Sequence, residues 1–489
     1  MLMVRTLKKL FFGDHDQKGT VVKNFLWLGT SQVGGRVVRS AITIYAARAL
    51  GTSDYGVFSY AMGLTGFFLF FKNIGVDGIM TREVARRPEE RNQLFATSFW
   101  LEVGLLIITA ALLLFVAPLF NHIPEALLLI PALTVMLVAD DMKDLFVAYF
   151  RGIEKMEWEA VVTLASNIAL VAFGFGALMI SRSPLYLAWA YAAASLFGVL
   201  LAGGIVFIRH VQGFFNSFDR TMVVPILRSA WPIAVGGVVG LLLSNVDIIM
   251  LGFWKTTGDV GIYAAVQKIA GILGVVAALA GTSIFPIFSR FAHSRDSVRM
   301  RQAIESVLRV LFLFAVPLVL GGIALGAPLL KFIFGSAYGP GANAFAILLP
   351  TILATFPMVI FTNCILAYDQ QRKTVAFTVV TSLVSIGLNF ILIPQFGMIG
   401  ASLAALASSV VFSYLTFRLC RKIVPFSLWK GFSKIFGAAV PMAVLAWFVQ
   451  MLGWPVLLNI ALSGAVYFAI LKLLKERALD EILSLVRSA

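Results

Sequence analysis

The chain has 489 residues, of which 60% are hydrophobic and 13% charged, and its mean hydropathy is +0.92. A soluble domain contains roughly 45–50% apolar residues, so this composition excludes an ordinary water-soluble fold. The 39 Lys and Arg exceed the 24 Asp and Glu, which gives a net charge of +15. The basic residues lie mainly in short segments between apolar runs, which favours a membrane protein and argues against nucleic-acid binding.

Residues 1–23 precede the first long apolar run and are predicted to form a cytoplasmic amphipathic segment, with Arg5, Lys8 and Lys9 among Leu and Phe. The following run is longer than a signal-peptide core, so no cleaved signal is expected. Crossing the hydrocarbon takes about 20 apolar residues, and about fourteen such runs follow in the chain. The predicted spans are 24–49, 55–76, 94–118, 126–150, 158–181, 185–208, 226–252, 259–288, 304–327, 343–368, 374–393, 399–419, 432–452 and 455–474.

The predicted fold is an all-α polytopic membrane protein with two six-helix lobes and two extra C-terminal helices. The N-lobe covers 24–209 and the C-lobe 225–420, the additional pair of spans covers 431–475, and a cytoplasmic tail covers 476–489. The spans predict these boundaries to within a few residues.

The distribution of Lys and Arg predicts the orientation of the chain. Nearly all of those outside the spans lie at the termini or in every second connection, and the alternate connections hold only Arg182, Lys255 and Lys331. Since basic connections stay on the cytoplasmic side, both termini are expected in the cytoplasm of a multi-pass protein of the cytoplasmic membrane.

Short internal matches predict that the two lobes are repeats. The stretch Asp54 to Ala61, between spans one and two, resembles Asp259 to Ala265, between spans seven and eight. In the same order, Asn167 in span five matches Asn389 in span eleven. The matches are six spans apart, an even number, so the halves would be parallel repeats as in many alternating-access transporters.

Span one carries four polar residues on one helix face. Gln32, Arg36, Arg39 and Thr43 follow at i, i+4, i+7 and i+11. A charged face near mid-membrane is costly and turns toward a bundle interior or an aqueous cavity. Two interpretations remain open, a structural pair with a buried Asp and a hydrated cavity that receives an anionic ligand.

Spans seven and eight offer further charges at membrane depth. Asp247 in span seven is predicted either to form a salt bridge with Arg39 or Lys268, or to act as a gating or coupling carboxylate. Lys268 in span eight is the expected second cation of the cavity.

Span four contains a cluster of charges in its inner half. Lys143 can neutralise only part of Asp140, Asp141 and Asp144, so some carboxylates must face water or each other. Either a structural role or proton exchange is consistent with this pattern.

The sequence argues against an enzyme. The four histidines lie in loops or at span ends, and the chain has no nucleophile elbow, phosphate loop or metal-ligand spacing. We therefore expect no catalytic residues, no cofactor and no metal site, with coupling to protons or sodium ions left open.

Three stretches resemble the polysaccharide flippases of the multidrug/oligosaccharidyl-lipid/polysaccharide exporter superfamily. They are Ala47 to Gly56, Asp247 to Tyr263, and Leu388 to Pro394 followed by Gly397 and Gly400. The resemblance covers the whole chain. It implies two lobes around a cavity that opens alternately to each side, and a cationic lumen that maps onto Arg36, Arg39 and Lys268.

The resemblance also implies a substrate and partners. An undecaprenyl-pyrophosphate-linked oligosaccharide would be turned from the inner to the outer leaflet for cell-surface polysaccharide synthesis, beside glycan polymerase or glycosyltransferase partners. The span count points to the subgroup that includes the lipid II flippases. The other interpretations are a cation- or proton-coupled drug antiporter, for which an acidic cavity is expected, and a membrane scaffold that transports nothing.

Overall fold

The structure is a computed structural model that describes residues 17–72, 75–209, 217–427 and 432–476. Within these ranges it describes the side chains except at residues 17–33, 36–37, 69–72, 209, 230–244 and 275. Most of the predicted N-terminal segment and nearly all of the predicted tail lie outside the described residues.

The chain divides into two compact units, an N-unit, Met1–Phe253, and a C-unit, Trp254–Ala489. Throughout the described residues the regular elements are helices. In the N-unit they are α1 (Gln17–Lys72), α2 (Val76–Arg86), α3 (Arg91–Ala111), α4 (Pro124–Leu127), α5 (Ile130–Gly152), α6 (Met156–Ile180), α7 (Pro184–Arg209) and α8 (Arg220–Trp254), of which only the last residue falls in the C-unit. In the C-unit they are α9 (Thr257–His293), α10 (Ser297–Ala324), α11 (Gly326–Phe334), α12 (Ala342–Leu348), α13 (Thr351–Ala367), α14 (Gln371–Phe396), α15 (Met398–Ile423), α16 (Phe432–Met451) and α17 (Val456–Leu473).

These helices are built to contact lipid. Within the described ranges, nine are long and apolar enough to cross a membrane, and the bent pair Ser336–Leu348 and Thr351–Ala367 makes a tenth. Large apolar side chains remain on their outer faces, with Ile208 85% exposed and Met179 76% exposed. Apolar surface on this scale is stable in hydrocarbon and not in water.

Each predicted span coincides with a described helix, with the pair α12 and α13, or with one half of α1. The prediction of a polytopic all-α membrane protein is therefore confirmed. The predicted lobe boundaries stay a prediction, and the last turns of α8 contact α1 within the N-unit.

Two glycines of the predicted motifs make the sharp connections between spans. Gly51 has φ of 77° and interrupts α1 between the first two predicted spans. Gly397 has φ of 58° and alone connects α14 to α15. Both lie in the left-handed region, which a residue with a Cβ enters only at a cost, so glycine is the residue expected at each reversal.

Gly400 allows the first turn of α15 to lie against the end of α14. A Cβ at Gly400 would collide with the backbone carbonyl of Leu392 and lie 3.0 Å from the backbone nitrogen of Ile393. Backbone atoms cannot move aside as a flexible side chain can.

We expect Gly400→Ala to lower the stability of the protein by about 1–3 kcal/mol, seen as a lower Tm in detergent. Gly387→Ala in α14 is the matched control, because nothing lies within 4 Å of its added Cβ; equal Tm values for the two variants would contradict the prediction.

The extra C-terminal helices are integral to the C-unit. A buried cluster joins α10 to α16 and α17 through Leu313, Val316, Met442 and Tyr467. The Tyr467 hydroxyl donates a hydrogen bond of 2.8 Å to the carbonyl of Leu313, which links α17 to α10. The buried Asn459 donates a bond of 2.8 Å to the carbonyl of Ala446, which links α17 to α16. Such bonds between helices satisfy polar groups that lipid cannot.

Candidate functional site

The polar face predicted on span one lies on a continuous helix. The backbone is helical through Gln32, Arg36, Arg39 and Thr43, so the four residues share one side of α1. The side chains of Gln32 and Arg36 lie outside the described residues. Those of Arg39 and Thr43 are described, and they locate the site.

Arg39 is exposed and donates from Nε to Oδ1 of Asn167 in α6, at 3.3 Å. The amide of Asn167 is itself oriented, since its Nδ2 donates to the carbonyl of Thr163 at 2.8 Å. Gly35 makes room for this contact, because a Cβ there would lie 2.6 Å from Nδ2 of Asn167. The guanidinium is thus positioned by a neutral amide, and its remaining donors can bind an anion.

Thr43 is buried one turn further along α1. Its hydroxyl donates to the carbonyl of Arg39 at 3.0 Å, and it is also hydrogen-bonded to Tyr191 in α7. The Tyr191 ring packs edge-on against Phe58, with ring centroids 5.3 Å apart. Thr43 therefore connects α1 to α7 and does not offer a free hydroxyl to a ligand.

Lys143 and Asp140 lie on α5 near Arg39. The Lys143 ammonium contacts Oδ1 of Asp140 at 2.5 Å, and the side chains are 12% and 34% exposed. Asp140 also has Arg39 and Ser195 among its electrostatic and hydrogen-bonding neighbours. The two cations exceed the one carboxylate by a unit charge, so this group of side chains is positive.

These residues line a polar pocket inside the N-unit with a volume of about 80 Å³. Its walls are Arg39, Met62, Met136, Asp140, Lys143, Ser166, Leu170, Tyr191, Ala194 and Ser195. A single buried water needs at least about 10–15 Å³ of cavity volume, so the pocket has room for several waters or a small anionic group. It is too small for an oligosaccharide, so it cannot by itself be a whole substrate chamber.

The other charges of the span-four cluster face elsewhere. Asp141 is 1% exposed and belongs to the interior of the N-unit, whereas Asp144 is exposed and lies within electrostatic reach of Arg151. The structure therefore brings Asp140 to the polar pocket and leaves Asp141 and Asp144 out of its lining.

Asp247 lies where the end of α8 packs on the second half of α1. It is buried, and its Oδ1 accepts the backbone N–H of Ile248 at 2.9 Å. Added Cβ atoms at Gly63 and Gly66 would lie 3.3 Å from Ile248 and 2.9 Å from Asn245. At Gly252 a Cβ would collide with the ring of Tyr60. We call this contact of Gly63 and Gly66 with the α8 segment 245–252 the glycine seam; a pairing of Asp247 with Arg39 or Lys268 stays a prediction.

The C-unit has an exposed cation and an apolar cleft of its own. Lys268 is exposed on α9, and its role as a lumen cation stays a prediction. The apolar cleft has a volume of about 460 Å³ and is bounded by α9 to α12, α16 and α17. Its walls include Leu313, Pro317, Leu349, Met442 and Phe468.

Sequence reasoning missed the neutral polar residues that complete the polar pocket. Ser166, Tyr191 and Ser195 are single hydroxyls in apolar helices, a pattern that buried structural residues share. Asn167 gave a signal only as a repeat match with Asn389. Its spacing from Arg39 in the chain could not reveal the contact.

Comparison with sequence profiles of protein families shows which family the chain belongs to. The sequence profile described as "Polysaccharide biosynthesis protein" matches residues 21–292, which is more than half of the chain. The chain belongs to this family. A second profile, "Lipid II flippase MurJ", matches residues 269–462 of this family member.

Individual relatives have low sequence identity to this chain, but the alignments cover most of both proteins. This family member is 21% identical to the probable low-salt glycan biosynthesis flippase Agl15 of Haloferax volcanii, over 75% of this chain and 76% of that protein. It is 21% identical to a putative O-antigen transporter of Shigella flexneri, over 82% of this chain and 99% of the relative. The resemblance predicted from the sequence motifs is confirmed.

Among solved structures, the lipid II flippase MurJ in an inward closed conformation matches the fold with a TM-score of 0.73. The match covers 92% of this chain and 98% of that chain, at 16% sequence identity. At this identity the likeness shows the fold alone.

Proposed function

We propose that this protein is a flippase for polyprenyl-pyrophosphate-linked oligosaccharide, acting in the synthesis of a cell-surface polysaccharide. The observation that carries the proposal is Arg39, an exposed guanidinium in a membrane helix whose described hydrogen bond goes to a neutral amide. Membership of the polysaccharide biosynthesis family and relatives named as flippases and O-antigen transporters support the same function.

The chemistry of the substrate explains why such a cation is needed. A pyrophosphate bearing sugars cannot cross hydrocarbon unaided, since burying its charges without partners is far too costly. A wet, positive site within the membrane replaces water around the phosphates. Arg39 and Lys143 supply that charge in the polar pocket, and Arg36 and Lys268 stay proposed as further cations that bind the substrate.

The apolar cleft of the C-unit suits the other end of the substrate. An isoprenoid chain needs apolar contact and no hydrogen bonds, and the cleft walls consist mainly of Leu, Ile, Phe and Pro side chains. We propose that the lipid tail lies along this cleft or in the adjoining bilayer while the headgroup passes through the protein.

The direction and coupling of transport are further parts of the proposal. We propose movement from the inner to the outer leaflet of the cytoplasmic membrane, with the basic connections on the cytoplasmic side. Coupling to protons or sodium would require a carboxylate that responds to the transport cycle, and Asp140 and Asp247 are the proposed candidates.

The drug antiporter interpretation fits the site less well. A cationic drug would be repelled by a pocket in which Arg39 and Lys143 outnumber Asp140. A lipid II type substrate remains compatible, because it shares the polyprenyl pyrophosphate.

Reconstitution in liposomes tests the function directly. A lipid-linked oligosaccharide with a fluorescent label on its sugar is placed in both leaflets, and an impermeant quencher is added outside. Liposomes with the protein should become fully quenched, whereas empty liposomes keep the signal of their inner leaflet. A fluorescent phosphatidylcholine is the control for general lipid scrambling; equal rates for the two lipids, or no movement of the oligosaccharide lipid under an imposed ion gradient, would contradict the proposal.

A further inference from the structure

The cytoplasmic end predicted for α15 carries a cleft that the flippase function does not use. It has a volume of about 450 Å³ and is lined by Tyr414, Phe417, Arg418, Arg421 and Lys422. All of these residues lie on α15, and the cleft is wide open at the surface. We call it the basic cleft.

Some cations of other basic connections are neutralised by a carboxylate of the protein. Arg87, Arg299 and Arg301 pair with nearby carboxylates, those of Glu90, Asp296 and Glu305. Among the described side chains no carboxylate pairs with Arg418, Arg421 or Lys422. Three cations therefore converge on one cleft without an anion of the protein to neutralise them.

Phe417 orients one of these cations. The guanidinium of Arg421 lies 5.8 Å from the centre of the Phe417 ring, within the range of a cation–π contact. In this contact the cation lies near the aromatic ring, and its N–H groups can still donate to an anion. An anion that binds there meets donors that are already positioned, which lowers the entropy cost of binding.

The surface of α15 below the basic cleft is apolar and exposed. Leu403, Val410 and Tyr414 follow at i, i+7 and i+11, so they form one stripe that leads to the cleft. Leu403 and Arg421 are about 27 Å apart along the helix axis, at about 1.5 Å per residue. Along this stripe the order is aliphatic, aromatic and cationic, which matches the order of acyl chain, interface and phosphate in a phospholipid.

Two simpler explanations account for only part of this arrangement. The helix dipole favours Arg421 and Lys422 at the C-terminus of α15, and retention of basic residues in the cytoplasm favours all three cations. Neither explains a cleft with an aromatic wall, or an exposed apolar stripe that ends in it.

We infer that the basic cleft binds the headgroup of an anionic phospholipid of the cytoplasmic leaflet, with the acyl chains along Leu403 and Val410. The phosphate would lie between Arg418, Arg421 and Lys422. This inference is independent of the proposed flippase function, since it concerns a resident lipid and not the transported one.

Native mass spectrometry of the detergent-purified protein tests the inference. The protein is titrated with phosphatidylglycerol or with phosphatidylcholine of the same acyl chains, and the bound lipids are counted. We expect a preference for phosphatidylglycerol that falls about tenfold or more in the triple variant Arg418→Gln, Arg421→Gln, Lys422→Gln, since each basic residue near a membrane surface contributes appreciably to anionic lipid binding.

A second triple variant is the matched control. Arg290→Gln, Arg295→Gln and Arg372→Gln change three exposed cations of other basic connections by the same total charge. This control should keep the preference. An equal loss in both triple variants, or no preference for phosphatidylglycerol in the natural protein, would overturn the inference.

Two further arms separate the alternatives. Binding that is abolished by millimolar inorganic phosphate, or that occurs with polyprenyl pyrophosphate and not with phosphatidylglycerol, would identify a different ligand and overturn the inference. If the triple variant does not fold, the single variants Arg418→Gln and Lys422→Gln, both at exposed side chains, are compared in the same titration and should each reduce the preference severalfold.

Discussion

Replacing Arg39 with alanine is expected to lower the rate of flipping by about 10- to 100-fold, since a hydrogen bond to a charged group contributes about 1.5–3 kcal/mol. Arg39 is exposed and hydrogen-bonded to Asn167, so its removal takes a cation from the polar pocket. The carboxylate of Asp140 keeps its ion pair with Lys143. The effect should therefore fall on transport and little on stability. The quenching assay in liposomes measures the rate, and the Tm in detergent measures the stability.

Arg48→Ala is the matched control. Arg48 lies on the same half of α1, is exposed, and is absent from the lining of the polar pocket. It should leave the rate within about twofold of the natural protein, because an exposed charge near the membrane interface is readily replaced by water.

The double variant Arg36→Ala, Arg39→Ala should stop surface glycan production while the protein still inserts; normal export by that variant would remove the role of these cations and favour the scaffold interpretation.

The sequence predicts the fold well because the bilayer imposes a simple length and polarity on each span. It also singles out Arg39 and Asp140 as candidate site residues, each on its own helix, since charges at membrane depth are rare and must be accommodated by the bundle. These two conclusions depend on each residue and its own helix. They do not require knowledge of which helices touch.

The parts that could not be predicted all depend on contacts between helices. Asn167 positions Arg39 across an interface between α1 and α6, and Gly35 matters only because that amide lies beside it. Likewise, a helical glycine such as Gly252 has no distinctive pattern until the ring of Tyr60 is found against it. A single sequence contains the residues of such contacts but not their pairing.

The glycine seam leads to the second prediction of large effect. A Cβ at Gly63 would lie 3.7 Å from the Cβ of Ile248, within the roughly 3.5–4.5 Å that a disulfide requires. The double variant Gly63→Cys, Ile248→Cys should therefore form a disulfide readily on mild oxidation. Cys364 and Cys420 are buried and are replaced with alanine so that only the introduced pair reacts.

This disulfide should abolish flipping, and a reducing agent should restore it. By the predicted orientation the seam lies toward the outer side of the membrane, where α8 ends, far from its basic start at Arg220. If substrate leaves on that side by alternating access, α1 and α8 must separate there in each cycle, and a covalent link between them holds the protein in one state. Full crosslinking with an unchanged quenching rate would show that the glycine seam does not open during transport. The single variants Gly63→Cys and Ile248→Cys are the controls, because they carry the substitutions without the disulfide. If oxidation stops transport in the double variant alone, the glycine seam has a role in the transport cycle. Glycines have no side chains to interlock, so the two helices can pack closely and still separate.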